Sequence, residues 1–198
     1  MRKTRSIVLA AALVAFAAGL APAATYDLDP AHTQVMFKVK HMGIATVTGK
    51  FKDFSGTVEF TPGELEQADA SATIQTQSVD TGIDDRDNHL RSDDFFSAEK
   101  FPEIKFQSTE IRNVEGDEFE VVGDLTIRDV TKQVVLDGTF NGQVVDPWGN
   151  ERIAFSAEGK INRKEFGLQW NKLLETGGLV VDDEVRMILE VEAIRQKG

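Results

Sequence analysis

Between Thr33 and Ile194 the chain returns again and again to an alternation of apolar and polar residues, and this two-residue period constrains it more than any other feature. "TQVMFKVKHMG" sets Val35, Phe37 and Val39 against Gln34, Lys38 and Lys40, and "ADASATIQTQS" sets Ala68, Ala70, Ala72 and Ile74 against Asp69, Ser71, Thr73 and Gln75. "EFEVVGDLTIRD" aligns Phe119, Val121, Leu125 and Ile127, with Gly123 among them where a bulge or bend is expected. "KQVVLDGTF" aligns Val134, Leu136 and Phe140 around Gly138, and "RIAFSAEGKI" aligns Ile153, Phe155, Ala157 and Ile161. "EVRMILEVEAI" closes the series with Val185, Met187, Leu189 and Val191. Side chains that alternate in this way point to opposite faces of a sheet, so the chain should form strands with one dry and one wet face.

Turn residues separate the runs. "TPGE" (61–64), "EGDE" (115–118) and "DPWGN" (146–150) supply the Pro, Gly, Asp and Asn that hairpins need, and Trp148 in the last reads as a ring folded over a barrel end. Only residues 83–100 break the alternation, with room for a short helical turn or two and Ser92 as a cap ahead of Asp93 and Asp94. No linker, repeat or second domain is visible. Many strands at hairpin spacing indicate a closed barrel or a two-sheet sandwich. Small residues on the dry face (Ala68, Ala70, Ala72, Gly123, Gly138, Ala157) either leave room for a cavity or fit a barrel that narrows, since a barrel of about eight strands can fill its interior with side chains or hold one small ligand there.

The first 23 residues read differently. Arg2, Lys3 and Arg5 precede an apolar run from Ile7 to Leu20, then Ala21-Pro22-Ala23, which is the pattern of a secretory signal peptide cleaved near Ala23. The 175 residues beyond it suffice for one domain with a full core. They carry 19 of the 22 basic residues and all 33 acidic ones, a net charge of −14. Such a body repels nucleic acid and anionic headgroups at long range, leaving only local basic pockets to attract them. With no cysteine, stability in an oxidising compartment must come from burial and backbone pairing. An outer-membrane barrel is disfavoured, because the faces opposite the apolar ones bear Lys38, Lys40, Asp69, Lys132 and Glu190.

Five blocks occur in order: "YDLDPAHTQVMFKVKHMG", "VTGKFKDFSGTV", "TGIDDRDNHLRSDDFFSAEKFPEIKFQST", "GDLTIRDVTKQV" and "INRKEFGLQWN". With the strand-like tail they resemble the YceI-like family of exported, lipocalin-like polyisoprenoid-binding proteins, across essentially all of 26–194. The resemblance implies an all-β fold, an antiparallel lipocalin-like β-barrel whose long apolar tunnel holds an isoprenoid or other long-chain amphiphile. Asp129 departs from the family where glycine is usual, and it is expected to take up the left-handed backbone that glycine would. Tyr26 stands where another aromatic is common.

The stretch "RDNHLRSDDFF" (86–96) is the richest in chemistry. His89 with Asp87 or Asp93 has the residue types of a base and its orienting partner, yet no nucleophile motif accompanies them. His32, His41 and His89 are scattered singly, without metal-ligand spacing. A structural reading explains more: Asp84, Asp85, Asp87 and Asp93 accept backbone N–H groups and pair with Arg86 and Arg91, while Leu90, Phe95, Phe96 and Phe101 press on the barrel mouth as a gate. An anionic ligand head would meet His89 and Arg91 there, or Arg163, Lys164 and Lys172 in "INRKEFGLQWNK". Strand parity and size assign Phe37, Val39, Phe51, Ile74, Phe95, Phe106, Leu125, Ile127, Phe155, Phe166 and Trp170 to the tunnel wall.

The chain thus reads as a periplasmic carrier that holds a polyisoprenoid, quinone or other long-chain lipid without cofactor or metal and without stable membrane insertion. Capture would be by desolvation and release by opening near Gly82 or Gly177-Gly178. The alternative is a hydrolase or transferase acting on a lipid-like substrate in the same cavity, with His89 or His41 essential to turnover. A shared mouth or an exposed strand edge would also suit a homodimer.

Overall fold

A computed structural model describes residues 23–174 and 178–197. The leader-like segment up to Pro22 and the expected hinge residue Gly177 lie outside them. The alternating runs form eleven strands: β1 (Ala24–Leu28), β2 (Gln34–His41), β3 (Ala45–Phe51), β4 (Phe54–Phe60), β5 (Asp69–Gln75), β6 (Val79–Asp80), β7 (Glu103–Glu115), β8 (Glu118–Ile127), β9 (Val130–Val145), β10 (Glu151–Asn162) and β11 (Val181–Arg195). Six of them are halves of three bent staves. β1 and β2 both pair with β11, β4 and β3 pair with β1 and β2 respectively, and β5 and β6 pair with β4 and β3. Eight staves therefore run up and down in sequence order, every neighbour antiparallel, and the β1–β11 pairing shuts the ring. This is the antiparallel lipocalin-like barrel of about eight strands that the alternation and the resemblance imply.

The bends have local causes. At 29–33 the wall is carried across by the Asp29 N–H and the Thr33 hydroxyl, both donating to the Glu192 carbonyl. At 76–78 a single 3₁₀ turn is fixed by the Ser78 hydroxyl on the Gln75 carbonyl. The bulge expected at Gly123 is present on its partner: register shifts between Ser108 and Glu110, so Thr109 is the extra residue. The space at Gly123 and Gly138 is not left open, however. A Cβ on Gly123 would lie 2.4 Å from the Phe106 ring and one on Gly138 would lie 2.6 Å from Phe119, so aromatic rings occupy the room these glycines provide.

Between β6 and β7 the chain leaves the wall from Thr81 to Pro102 and forms helix α1 (Asp84–Arg91) at one end of the barrel. Asp84, Asp85 and Asp87 in its first turn and His89 and Arg91 in its last complement the helix dipole. Ser92 ends this helix instead of starting one, its hydroxyl donating to the His89 carbonyl (2.7 Å). The expected pairing of the loop's aspartates with Arg86 and Arg91 is not formed. Asp87 accepts from the Thr81 N–H and hydroxyl, Asp93 accepts from the Ser97 hydroxyl, and both arginines donate to other groups. Two further expectations are corrected. In the β8–β9 turn the left-handed residue is Arg128 (φ 58°), not Asp129, and it is tethered by donating to the Gly167 carbonyl (3.1 Å). Trp148 is not folded over the barrel but 79% exposed at the opposite end.

Candidate functional site

The barrel interior contains voids at successive depths. Inward side chains such as Val35, Phe37, Val39, Phe155, Val185, Met187 and Leu189 are only half-buried although they point away from solvent, because part of each faces empty space. Three cavities follow one another. At the α1 end, a mouth cavity of about 200 Å³ is lined by Lys40, His41, Thr81, Arg86, His89, Phe95 and Trp170 together with Phe37, Val39, Val180 and Val181. Beneath it an upper chamber of about 130 Å³ shares Phe37, Val39, Leu90, Phe95 and Val181 with the mouth and adds Phe51, Ile104, Leu125, Ile127, Ile161, Leu168 and Met187. A lower chamber, also about 130 Å³, is lined by Leu28, Val58, Ala68, Ala70, Ala72, Phe106, Val121, Leu136, Phe155 and Ala157. Leu189 lies on both chambers and forms the neck between them. Phe60, Phe140 and Phe155, with ring centroids 5.2–5.7 Å apart, close the blind end. Apolar voids of this size stay dry, so a hydrocarbon entering them displaces little bound water.

Polarity is graded along this path. The chambers are walled almost entirely by aliphatic and aromatic groups, whereas the mouth gathers Lys40, Arg86, His41 and His89. The His89 ring meets Trp170 and Phe95 edge-on (4.7 and 5.1 Å between centroids), and its Nε2 lies 2.9 Å from an Asp94 oxygen. Arg86 donates through Nε to the Thr81 hydroxyl (2.7 Å) and through a terminal nitrogen to the Thr81 carbonyl (2.9 Å), which holds the guanidinium at the rim. The roof over the mouth is stapled from beneath by Arg163, which is 3% exposed. It donates to the carbonyls of Asp182 (2.8 Å), Leu168 (2.6 Å) and Trp170 (2.8 Å). Burial pushes its pKa down, and the carboxylates of Asp183 and Asp182 oppose that effect.

The residues assigned to the tunnel from the sequence divide cleanly. Phe37, Val39, Phe51, Phe95, Phe106, Leu125, Ile127, Phe155 and Trp170 all border one of the three cavities. Ile74 and Phe166 border none of the three and are packed into the upper core cluster. Of the head-group candidates, His89 lies at the mouth. Arg91 is spent on backbone carbonyls, donating to Gln77 (2.8 Å) and Val79 (2.7 Å) and so tying α1 to β6. Arg163 is a buried staple that also borders the upper chamber, Lys164 pairs with Asp183 (2.9 Å), and Lys172 is exposed between β10 and β11. Lys40 and Arg86 were not expected at the mouth. Lys40 belongs by parity to the outer face of β2 and reaches the mouth only because the stave ends there.

Of the three histidines, His41 and His89 converge on the mouth, while His32 lies elsewhere, with its Nδ1 2.7 Å from Asp29. Asp29, His32 and Glu192 are close enough to share an ion, but Arg152 already bridges Asp29 (2.8 Å) and Glu192 (2.5 Å), supplying the positive charge that an ion would bring.

A closed up-and-down β-barrel with apolar voids inside it and a short helix at one end defines a lipocalin-like fold. Within that class the chain belongs to the YceI-like family, whose model, described as the YceI-like domain, matches residues 26–193. It is 41% identical over 184 residues to the protein YceI of Escherichia coli O6:H1, covering 92% of this chain and 93% of that one. Among solved structures, the Campylobacter jejuni YceI protein superposes with a TM-score of 0.70 at 34% identity, covering 80% of this chain and 90% of that one. A polyisoprenoid-binding domain from Saccharophagus degradans, implicated in plant cell wall breakdown, shares the fold at 18% identity (TM-score 0.62, covering 88% and 99% of the two chains).

Proposed function

We propose that the protein is an exported carrier, working in the periplasm, that holds one long-chain isoprenoid, quinone or similar amphiphilic lipid. The tail lies through the two chambers and the polar head rests at the mouth among Lys40, His41, Arg86 and His89. The observation that carries this reading is the series of cavities sharing wall residues, apolar at depth apart from the carbonyl-bound Arg163 on the upper chamber's wall, with Lys40, His41, Arg86 and His89 gathered at the mouth. The basic head, apolar run and small residues of the first 23 positions support export, and the polyisoprenoid-binding character of the Saccharophagus degradans neighbour supports the ligand class.

Energetics favour the tail as the source of affinity. Each methylene buried contributes about 0.8 kcal/mol, so a long chain outweighs the cost of association, about 4 kcal/mol or more, before the head contributes. The head therefore sets selectivity and orientation. Release requires the gate to open, and Gly82 (φ 79°) and Gly178 (φ 108°) flank the two segments that cover the mouth. Full-length protein purified gently from the producing organism, extracted with solvent and analysed by mass spectrometry, should release about one long-chain lipid per barrel. Repeatedly empty extracts contradict the carrier reading, and a ligand that is converted by the wild type but only retained by H89N or H41N would replace it with the enzymatic one.

A further inference from the structure

The hairpin of β2 and β3 differs from the rest of the molecule in both charge and exposure. From Gln34 to Lys52 it carries four lysines and His41 but no aspartate or glutamate, in a chain whose acidic residues outnumber the basic ones by 11. Lys38, Lys40, Lys50 and Lys52 are all exposed. Asp80, opposite Lys50 and 3.1 Å from Lys52, offsets one of these charges; Lys38 and Lys40 face Thr48 and Thr46 across the hairpin, with Arg186 opposite Lys38 and the Asp182–Glu184 stretch beside Lys40 on β11. The tip is apolar. Ile44 is 87% exposed and Met42 is 42% exposed, and Met42 holds a left-handed backbone (φ 52°) that side chains of its size rarely adopt. The tip stands beside the tunnel mouth: Lys40, His41 and Val47 line the mouth cavity, and the Met42 N–H donates to the Val180 carbonyl (2.9 Å) of the roof. Leu173, 77% exposed, and Lys172 belong to that same roof segment.

The opposite end also exposes apolar residues, Val144, Val145 and Trp148. No lysine or arginine occurs between Gly142 and Glu151, and an open groove nearby is walled by Glu115, Glu118, Glu120 and Asp137. The hairpin is thus a local basic and greasy projection at the mouth end, where Asp182, Asp183 and Glu184 of β11 and Asp84 and Asp85 of α1 also lie, whereas the described residues of the blind end form no such basic projection. An anionic surface would be met by the hairpin lysines at short range, within about a Debye length. A second copy docking through the same hairpin would set lysines against lysines.

From this combination we infer that the β2–β3 hairpin is a docking prong for an anionic phospholipid bilayer. Ile44 and Met42 enter the boundary between headgroups and acyl chains, and Lys38, Lys40 and Lys50 meet the lipid phosphates. Docking seats the tunnel mouth on the surface from which an amphiphile would come, but it depends only on the outside of the barrel, so it stands or falls apart from the identity of the tunnel's occupant.

The test uses the full chain and vesicles free of isoprenoid, of phosphatidylcholine alone or mixed with phosphatidylglycerol. Co-sedimentation is expected with the mixed vesicles only, and high salt should reverse it. I44D should reduce partitioning at least tenfold, and K38Q/K40Q by about fivefold for each lysine removed. W148S should bind like the wild type. Because Ile44 is almost fully exposed, I44D should melt at the wild-type temperature, which separates lost docking from lost folding. The proposal is overturned if the wild type ignores mixed vesicles, if I44D partitions unchanged, or if W148S is the variant released. It is also overturned if I44D turns a dimer into a monomer in sedimentation while vesicle binding is unaffected, since the tip would then serve a second copy.

Discussion

Arg152 shows how a single side chain can hold a barrel bend together. It donates to Asp29, Asp146 and Glu192 at 2.5–2.8 Å and so ties the 29–33 bend and the β9–β10 turn to β11. Burial raises the pKa of Asp29, but hydrogen bonds from Arg152, His32 and the Ala31 N–H outweigh it and hold the carboxyl at about 2 against an ordinary 3.8. Asp146 is lowered further, by Asn150 first and then by Arg152. Both groups bind fewer protons in the folded chain than in the unfolded one. Their stabilisation is therefore complete above the ordinary carboxylate value and disappears as pH falls from there towards 2. R152M is expected to lower the melting temperature at neutral pH and to flatten its decline between pH 4 and pH 2, as thermal denaturation across that range will show. Equal losses for wild type and variant at every pH would contradict this account. Nothing in "NERIAF" distinguishes Arg152 from a surface charge on an edge of the pattern; its three partners lie 6, 40 and 123 residues away and meet it only in the closed barrel.

Among the elements, the strands were legible and the bends were not. A period of two states which face is dry, and the strand residues it assigned to the tunnel border a cavity with the exception of Ile74, while Phe95 and Trp170, which border one too, lie outside the strands. It cannot distinguish an inward residue that meets a void from one that meets another side chain, which is why Ile74 and Phe166 proved to be packed core. It also cannot foresee that Phe106 and Phe119 would lie over Gly123 and Gly138, because those pairings are fixed by register across strands. The gate illustrates a second blind spot. Arg91 looked like a ligand for an anion, yet it serves backbone carbonyls, which leave no trace in a sequence. Removing it should therefore act through the element. R91A is expected to cost about 2 kcal/mol by stripping three hydrogen bonds, to Gln77, Val79 and Asn88, from the tether of α1. Release of a bound amphiphile should become about tenfold faster, for every 1.4 kcal/mol by which the closed gate is weakened. Stopped-flow displacement measures this, and an unchanged release rate in a destabilised R91A would show that α1 does not gate the mouth.

For the molecule as a whole, the central claim is that the interior is one continuous path and not a set of packing defects. Packing defects would be unrelated in position and character, whereas the three cavities here share walls and become less polar with depth. Leu189, at the neck, is the residue on which continuity depends. The most direct measurement is the affinity of prenyl alcohols of increasing chain length for the wild type and for L189W, by isothermal titration calorimetry. The account predicts that wild-type affinity rises with length, by up to about fourfold per buried methylene, until the lower chamber is full. In L189W the rise should stop early, at the length that fills the upper chamber, with short alcohols bound as before. Affinity that does not grow with chain length, or that grows identically in L189W, would contradict a continuous tunnel.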